Sequence, residues 1–232
     1  EIANEVNISA YIYDSVRVEE LNDVARISGM PEISRTSTSH ALNSRAMAMK
    51  VAKMNGKKYS DMNFVVAHLG GGISVSVHEK GRMVDILADD EGPFSPERAG
   101  RVPCKELIDL CYSGEFDKKT MNKKLRGNGG LKAYLNTVDV REVEEMIERN
   151  DEKAKLVLEA MAYQVAKGIG DLSTVVEGKV DAIVLTGGIA YSKRITALIK
   201  KRVEFIAQVE IMPGENEMES LAMGILRVLK GE

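Results

Sequence analysis

Asn63-Phe-Val-Val-Ala-His-Leu-Gly-Gly-Gly72, running on into Ile73-Ser-Val-Ser-Val-His78, decides how this chain is read. The first six residues make a run of strand length, apolar from Phe64 to Ala67, and three consecutive glycines stop it at one corner. Ile73, Val75 and Val77 then alternate with Ser74, Ser76 and His78, the period of a strand with one face in the core and one in solvent. On that pattern His78 is expected to be solvated. Lys80-Gly81 supplies a hairpin turn and residues 83–87 a return strand. The segment therefore predicts a three-stranded antiparallel meander with a glycine cluster at its first corner.

Toward the C-terminus the pattern turns helical, over 105–112, 118–125, 131–135, 140–149 and 151–176. A buried strand over 180–185 closes on Thr186-Gly-Gly188, and a helix over 192–201, a strand over 207–212 and a helix over 217–229 follow. Strands alternating with helices indicate a parallel α/β layer. Toward the N-terminus, a strand over 9–13 ends at Asp14-Ser15, and a helix over 19–27 is stopped by Gly29-Met-Pro31. Leu42, Ala46, Met47, Met49, Val51 and Met54 make the stripe of a buried helix that ends near Gly56. No repeat and no Gly/Pro/Ser-rich linker divides residues 1–232, which are read as one α/β domain.

Composition narrows the function classes. With 32 basic and 35 acidic residues the formal charge is −3, which gives no broad positive field for a nucleic acid. No apolar run approaches the roughly 20 residues of a membrane helix, and no basic-then-apolar leader opens the chain. Cys104 and Cys111 fall seven apart within one expected helix and read as reduced thiols, so a cytoplasmic protein is expected.

Three glycines at a strand corner bring backbone N–H groups close to a ligand and aim them at one point, as a phosphate requires. A tight corner needs them equally. The second glycine turn, Thr186 to Ser192, opens a helix, and a helix N-terminus after a glycine turn favours an anion. Neither turn fits the Walker or the dinucleotide pattern.

These corners, with the strings Ile12-Tyr-Asp-Ser15, Thr36-Ser-Thr-Ser-His40, Val66-Ala-His-Leu-Gly-Gly-Gly72, Pro96-Glu-Arg-Ala-Gly100, Asp139-Val-Arg141, Val184-Leu-Thr-Gly-Gly188 and Pro213-Gly-Glu-Asn-Glu217, resemble the acetate and butyrate kinase family. That family lies within the acetate and sugar kinase, Hsc70 and actin superfamily, and the butyrate branch is the nearer likeness. The resemblance implies an actin-like (ribonuclease H-like) fold, a mixed sheet with helices on both faces. It implies ATP and Mg2+, giving ADP, a short-chain carboxylic acid as substrate, and a homodimer. By the same resemblance Asp14, Arg98 and His40 are catalytic, and His68, Gly70, Gly71, Gly72, Asp139, Arg141, Gly187 and Gly188 bind nucleotide and phosphate. Glu217, with Glu219 as the alternative, and Asp14 hold the magnesium. His68 is expected to donate to the phosphates.

Taken without the family, Arg98 is a loop arginine, Asp14 a turn cap, Asp139 a helix N-cap and Glu217 a first-turn acid. Thr36 stands where acetate kinases carry a histidine, which favours the butyrate side. Enzymes of this family also begin with a phosphate-1 domain that has no counterpart here. The chain is therefore expected to be the nucleotide-side part of an acyl kinase, with little activity alone. An acetate or propionate kinase, a non-catalytic nucleotide-binding module, and a sugar kinase or Hsp70-like ATPase are the competing readings.

Overall fold

The computed structural model describes residues 2–230 except 18, 89 and 216, with Ile2 described in its backbone only. One five-stranded mixed sheet organises the chain, in the order β3-β2-β1-β4-β5. β1 (Asn63–Leu69), β2 (Ile73–Glu79) and β3 (Arg82–Ala88) form the antiparallel meander. β4 (Ala182–Gly187) lies parallel to β1, and β5 (Val209–Pro213) parallel to β4. The helices are α1 (Ile2–Glu5), α2 (Asp23–Arg26), α3 (Ala41–Met54), α4 (Cys104–Tyr112), α5 (Lys118–Leu125), α6 (Gly130–Leu135), α7 (Val140–Glu148), α8 (Glu152–Ser173), α9 (Lys193–Val203) and α10 (Glu217–Lys230).

Side-chain alternation splits the core between the two sheet faces. Val65, Ala67, Leu69, Ile183 and Leu185 join Val75, Val77, α8 and α9 in the larger cluster. Phe64, Val66, Ala182 and Val184 join Met47, Ala48, Val51 and Ala52 of α3 in the smaller one. The same alternation sends His68, Thr186, Ser74, Ser76 and His78 to the α3 face;. That face is covered, so the polar side of β2 does not meet solvent.

His78 is thus fully buried, against the expectation of a solvated residue. Its Nδ1 lies 2.6 Å from the Tyr59 hydroxyl and its Nε2 2.9 Å from Ser76 Oγ. A period-two pattern reports which residues are polar, and Tyr59 and Ser76 supply the partners that let His78 be buried.

Two expected elements are not formed. The 9–13 stretch makes no strand, and Ile12 is 93% exposed because no neighbouring strand offers it a ladder. The 19–27 helix shrinks to the single turn of α2. Leu21 is instead buried against Ile86 and Ala88, and the Asn22 N–H donates to Val84 O at 2.9 Å. Glu20 accepts from the Met83 N–H, and Arg35 donates to Ile86 O while pairing with Asp85 at 3.0 Å. Residues 19–22 and Arg35 cover the open edge of β3, which would otherwise present unpaired backbone groups. Cys104 and Cys111 are exposed free thiols on α4. Among the described residues, no helix is long and apolar enough to cross a membrane.

Candidate phosphate and nucleotide site

The C-terminal ends of β1, β4 and β5 meet, and the two glycine corners abut there. Gly187 has φ +88°, and a Cβ on it would lie 2.4 Å from Leu69 O, so only glycine lets the second corner touch the first. Gly187 and Gly214 exchange backbone hydrogen bonds at 3.2 and 3.0 Å, which holds the turn after β5 against both.

Arg98 reaches the first corner from a tight loop. The Ser95 N–H donates to Arg98 O at 3.0 Å, and the Arg98 N–H to Ser95 Oγ at 3.2 Å. Ser95 Oγ itself donates to Gly71 O at 2.7 Å, tying loop to corner. The guanidinium lies flat against Gly72, where a Cβ would sit 2.5 Å from Cζ. Arg98 also lines a cavity of about 780 Å³, with Lys118, Lys119, Lys123, Arg126 and Asp90. A fixed cation at a glycine corner is the arrangement that neutralises transferring phosphoryl charge.

His68, Gly70 to Gly72 and His40 also assemble here. His40 stacks on His68, with centroids 3.9 Å apart and rings 14° from parallel, and its Nδ1 lies 2.9 Å from Ser74 Oγ. His68 Nδ1 lies 2.9 Å from Asn43 Oδ1. Burial, with the His40 charge adding to it, pushes His68 down to about 3, so the ring is neutral near pH 7.

Asp139, Arg141 and Gly188 line a second cavity of about 660 Å³, together with Glu144, Tyr191 and Ser192. Asp139 caps α7 through the Arg141 N–H at 2.9 Å and pairs with the Arg141 side chain. The N-cap reading is thus borne out, and the carboxylate still lines the cavity. A Cβ on Gly188 would meet nothing within 4 Å, so this glycine leaves open space. Ser192 caps α9 and donates to Glu144 at 2.6 Å. Tyr191, 72% exposed at the rim, presents a face on which a base can stack.

Asp14 stands apart from this assembly, whereas Glu217 follows the Gly214–Glu215 turn that is held at the corner. Asp14 Oδ1 lies 3.0 Å from Arg45 Nε on α3, and Arg45 also pairs with Glu20 and donates to Gly81 O. Gly81 is in the β2–β3 turn, the sheet end opposite the glycine corners. Burial pushes the Asp14 carboxyl above its usual range, with Arg45 opposing, and Oδ2 is buried without a hydrogen bond. Glu217 is exposed at the head of α10. Glu219 lines a different cavity, with Tyr13, Met49 and Arg227. Among the described residues, no group of three or more His, Cys, Asp or Glu side chains is close enough to hold a metal. In this structure Asp14 is engaged by Arg45.

Sequence reasoning missed Asn43, Ser95, Arg45, Glu144 and Tyr191. Asn43 carried a signal, since an amide three residues after His40 interrupts an apolar helix.

A mixed sheet with paired glycine corners at the strand ends is the fold of the acetate and sugar kinase, Hsc70 and actin superfamily. Within it the chain belongs to the Acetokinase family, which matches residues 32–222. Acetate kinase from Porphyromonas gingivalis superposes with a TM-score of 0.83 at 19% identity, covering 93% of this chain and 63% of that one. A propionate kinase from Francisella tularensis gives 0.76 at 20%, covering 86% and 59%. Acetate kinase from Entamoeba histolytica gives 0.77 at 19%, covering 88% and 62%. At these identities the likeness is one of fold, and this chain spans about three fifths of the length of those chains.

Proposed function

We propose that this chain is the nucleotide-side domain of an acyl kinase that phosphorylates a short-chain carboxylate, butyrate-like, with ATP. The observation that carries the reading is the abutment of the two glycine corners at Gly187 and Leu69, with the Asp139–Ser192 cavity at the β4 corner and Arg98 at the β1 corner. A nucleoside in that cavity would direct its phosphates across Gly187 toward Gly70 to Gly72 and Arg98.

The chemistry asks little of a base. A carboxylate is already an anion at neutral pH, so its oxygen attacks the γ-phosphorus directly. The bond from that phosphorus to the β–γ bridging oxygen breaks, and ADP leaves with the electron pair; no proton is gained or lost. The obstacle is repulsion between anions, which Arg98 and the lysines around it offset. Magnesium, arriving with the nucleotide, would neutralise the β- and γ-phosphates. Such an ion rests on phosphate and water more than on protein, so Glu217 suffices as an outer carboxylate. Asp14 can serve it only after leaving Arg45.

Asp14 and the unpaired 9–13 stretch support a two-domain enzyme, in which another sheet takes up that stretch and draws Asp14 to the corner. A cytoplasmic homodimer is part of the same reading. Thr36 supports butyrate over acetate or propionate.

Titration calorimetry with ADP, beside hydroxamate trapping of acyl phosphate from ATP, magnesium and a panel of acetate, propionate and butyrate, with ADP release measured for sugars, tests the proposal. ADP binding with negligible turnover is expected, and the complete enzyme should prefer butyrate. No ADP binding would overturn the nucleotide-domain reading. Turnover by this chain on the order of 10 per second, ordinary for enzymes, would overturn its dependence on a second domain.

A further inference from the structure

We infer that Asn43 is a positioning residue that holds His68 as the Nδ1–H tautomer and turns the Nε2 lone pair into the Gly70–Gly72 corner, selecting a phosphate that carries a proton. The Asn43 amide decides this. Its Nδ2 donates to Gly214 O at 3.3 Å and to Glu215 O. Rotating the amide would turn its oxygen onto those two carbonyls, three acceptors facing one another, so the orientation is fixed. Oδ1 then faces His68 Nδ1 at 2.9 Å. A carboxamide oxygen cannot donate, so the hydrogen is on Nδ1. A neutral imidazole has only one such hydrogen, and Nε2 is left with its lone pair.

Three further observations agree. Burial keeps the ring neutral. Stacking on His40, itself tied to Ser74, fixes the ring plane. The Nε2 edge lies against Gly70, where a Cβ would come within 3.0 Å of it, and Nε2 makes no hydrogen bond among the described residues. His68 therefore accepts, where the sequence led us to expect a donor to phosphate. A bare phosphoryl oxygen would meet a lone pair there, whereas a P–OH donates to it while the charged oxygens face the backbone N–H groups. The same amide fastens the Gly214–Glu215 turn ahead of α10, so tautomer and turn are held by one side chain.

The tautomer stands on the free protein's contacts; the choice of ligand rests on the phosphate reading above. Nitrogen-15 NMR of the histidine rings reads the tautomer, with the His68 signals identified by their loss in His68→Gln. Protonated Nδ1 and unprotonated Nε2 are expected at pH 7. Asn43→Asp keeps an acceptor and should keep that pattern, whereas Asn43→Leu should lose it. A protonated Nε2 in the native chain, or an unchanged pattern in a folded Asn43→Leu, overturns the role of Asn43. Should Asn43→Leu not fold, the native spectrum and Asn43→Asp still decide.

Inorganic phosphate titrated at pH 6 should then move the His68 Nε2 resonance, and sulfate, of the same shape without a proton, should bind at least about tenfold more weakly. Equal responses, or none to phosphate, would overturn the selection while leaving the tautomer standing.

Discussion

His68 and His78 lie on neighbouring strands, face the same helix α3, and are both pushed down to about 3 by burial. They differ in their second nitrogen. His78 spends both, on Tyr59 and Ser76. His68 spends one on Asn43 and keeps the other at the edge of the glycine corner. A displaced pKa therefore does not separate a site histidine from a core histidine here. The unused nitrogen does, together with what lies in front of it.

The largest test of this comparison is acid. Both histidines are neutral when folded and titrate near 6.5 when unfolded, so the unfolded chain binds more protons between about pH 6.5 and 3. Stability is then full above pH 6.5 and falls as the pH drops toward 3. From pH 6.5 to 4.5 each histidine should remove about 2 kcal/mol, or about 4–5 kcal/mol together. Urea unfolding at the two pH values measures this. His68→Gln and His78→Gln should each cut the loss by about half, and unequal cuts would show that the burial of the two rings is not equivalent.

Next in size is the contact between the corners. Gly187→Ala forces a side chain into the left-handed region and onto Leu69 O, at a combined cost of about 3 kcal/mol. Gly188→Ala meets nothing and should unfold within about 0.5 kcal/mol of the native chain. It should nonetheless weaken ADP binding, because it narrows the Asp139–Ser192 cavity. Thermal melts with and without ADP separate the two. If Gly188→Ala proves as unstable as Gly187→Ala, the two glycines do not differ in the way their surroundings indicate.

How much of this was legible in the sequence follows the same divide. The meander, the β4 and β5 strands and the glycine corners could be read because alternation and glycine clusters are local signals, and the family strings lie on them. Reading His78 as solvated failed because covering of a strand's polar face depends on α3, which is distant in sequence. The strand at 9–13 failed for want of a partner, and the helix at 19–27 because Leu21 and Asn22 pack on β3 instead. Within the site, Arg98, His40, His68 and the glycines came together as motif residues. Tyr191 was invisible because its meaning comes from the cavity rim, and Asn43 showed only as an amide interrupting an apolar helix, since its partners lie on β1 and in the turn after β5. Asp14 was legible as a motif residue, yet Arg45 holds it elsewhere.

The smallest test asks whether the two histidines are independent. Tyr59→Phe removes the hydroxyl 2.6 Å from His78 Nδ1 and leaves that nitrogen buried without a partner. A lost buried hydrogen bond of this kind costs about 1–2 kcal/mol, seen as a lower urea midpoint at unchanged slope. Tyr59 follows α3 and His78 ends the polar row of β2, while Asn43 and His40 sit at the opposite end of that helix. The His68 ring signals should therefore stay where they are in Tyr59→Phe. A shift at His68 would mean that α3 moves as a rigid lever between the two sheet ends, and that the core histidine helps to set the site histidine.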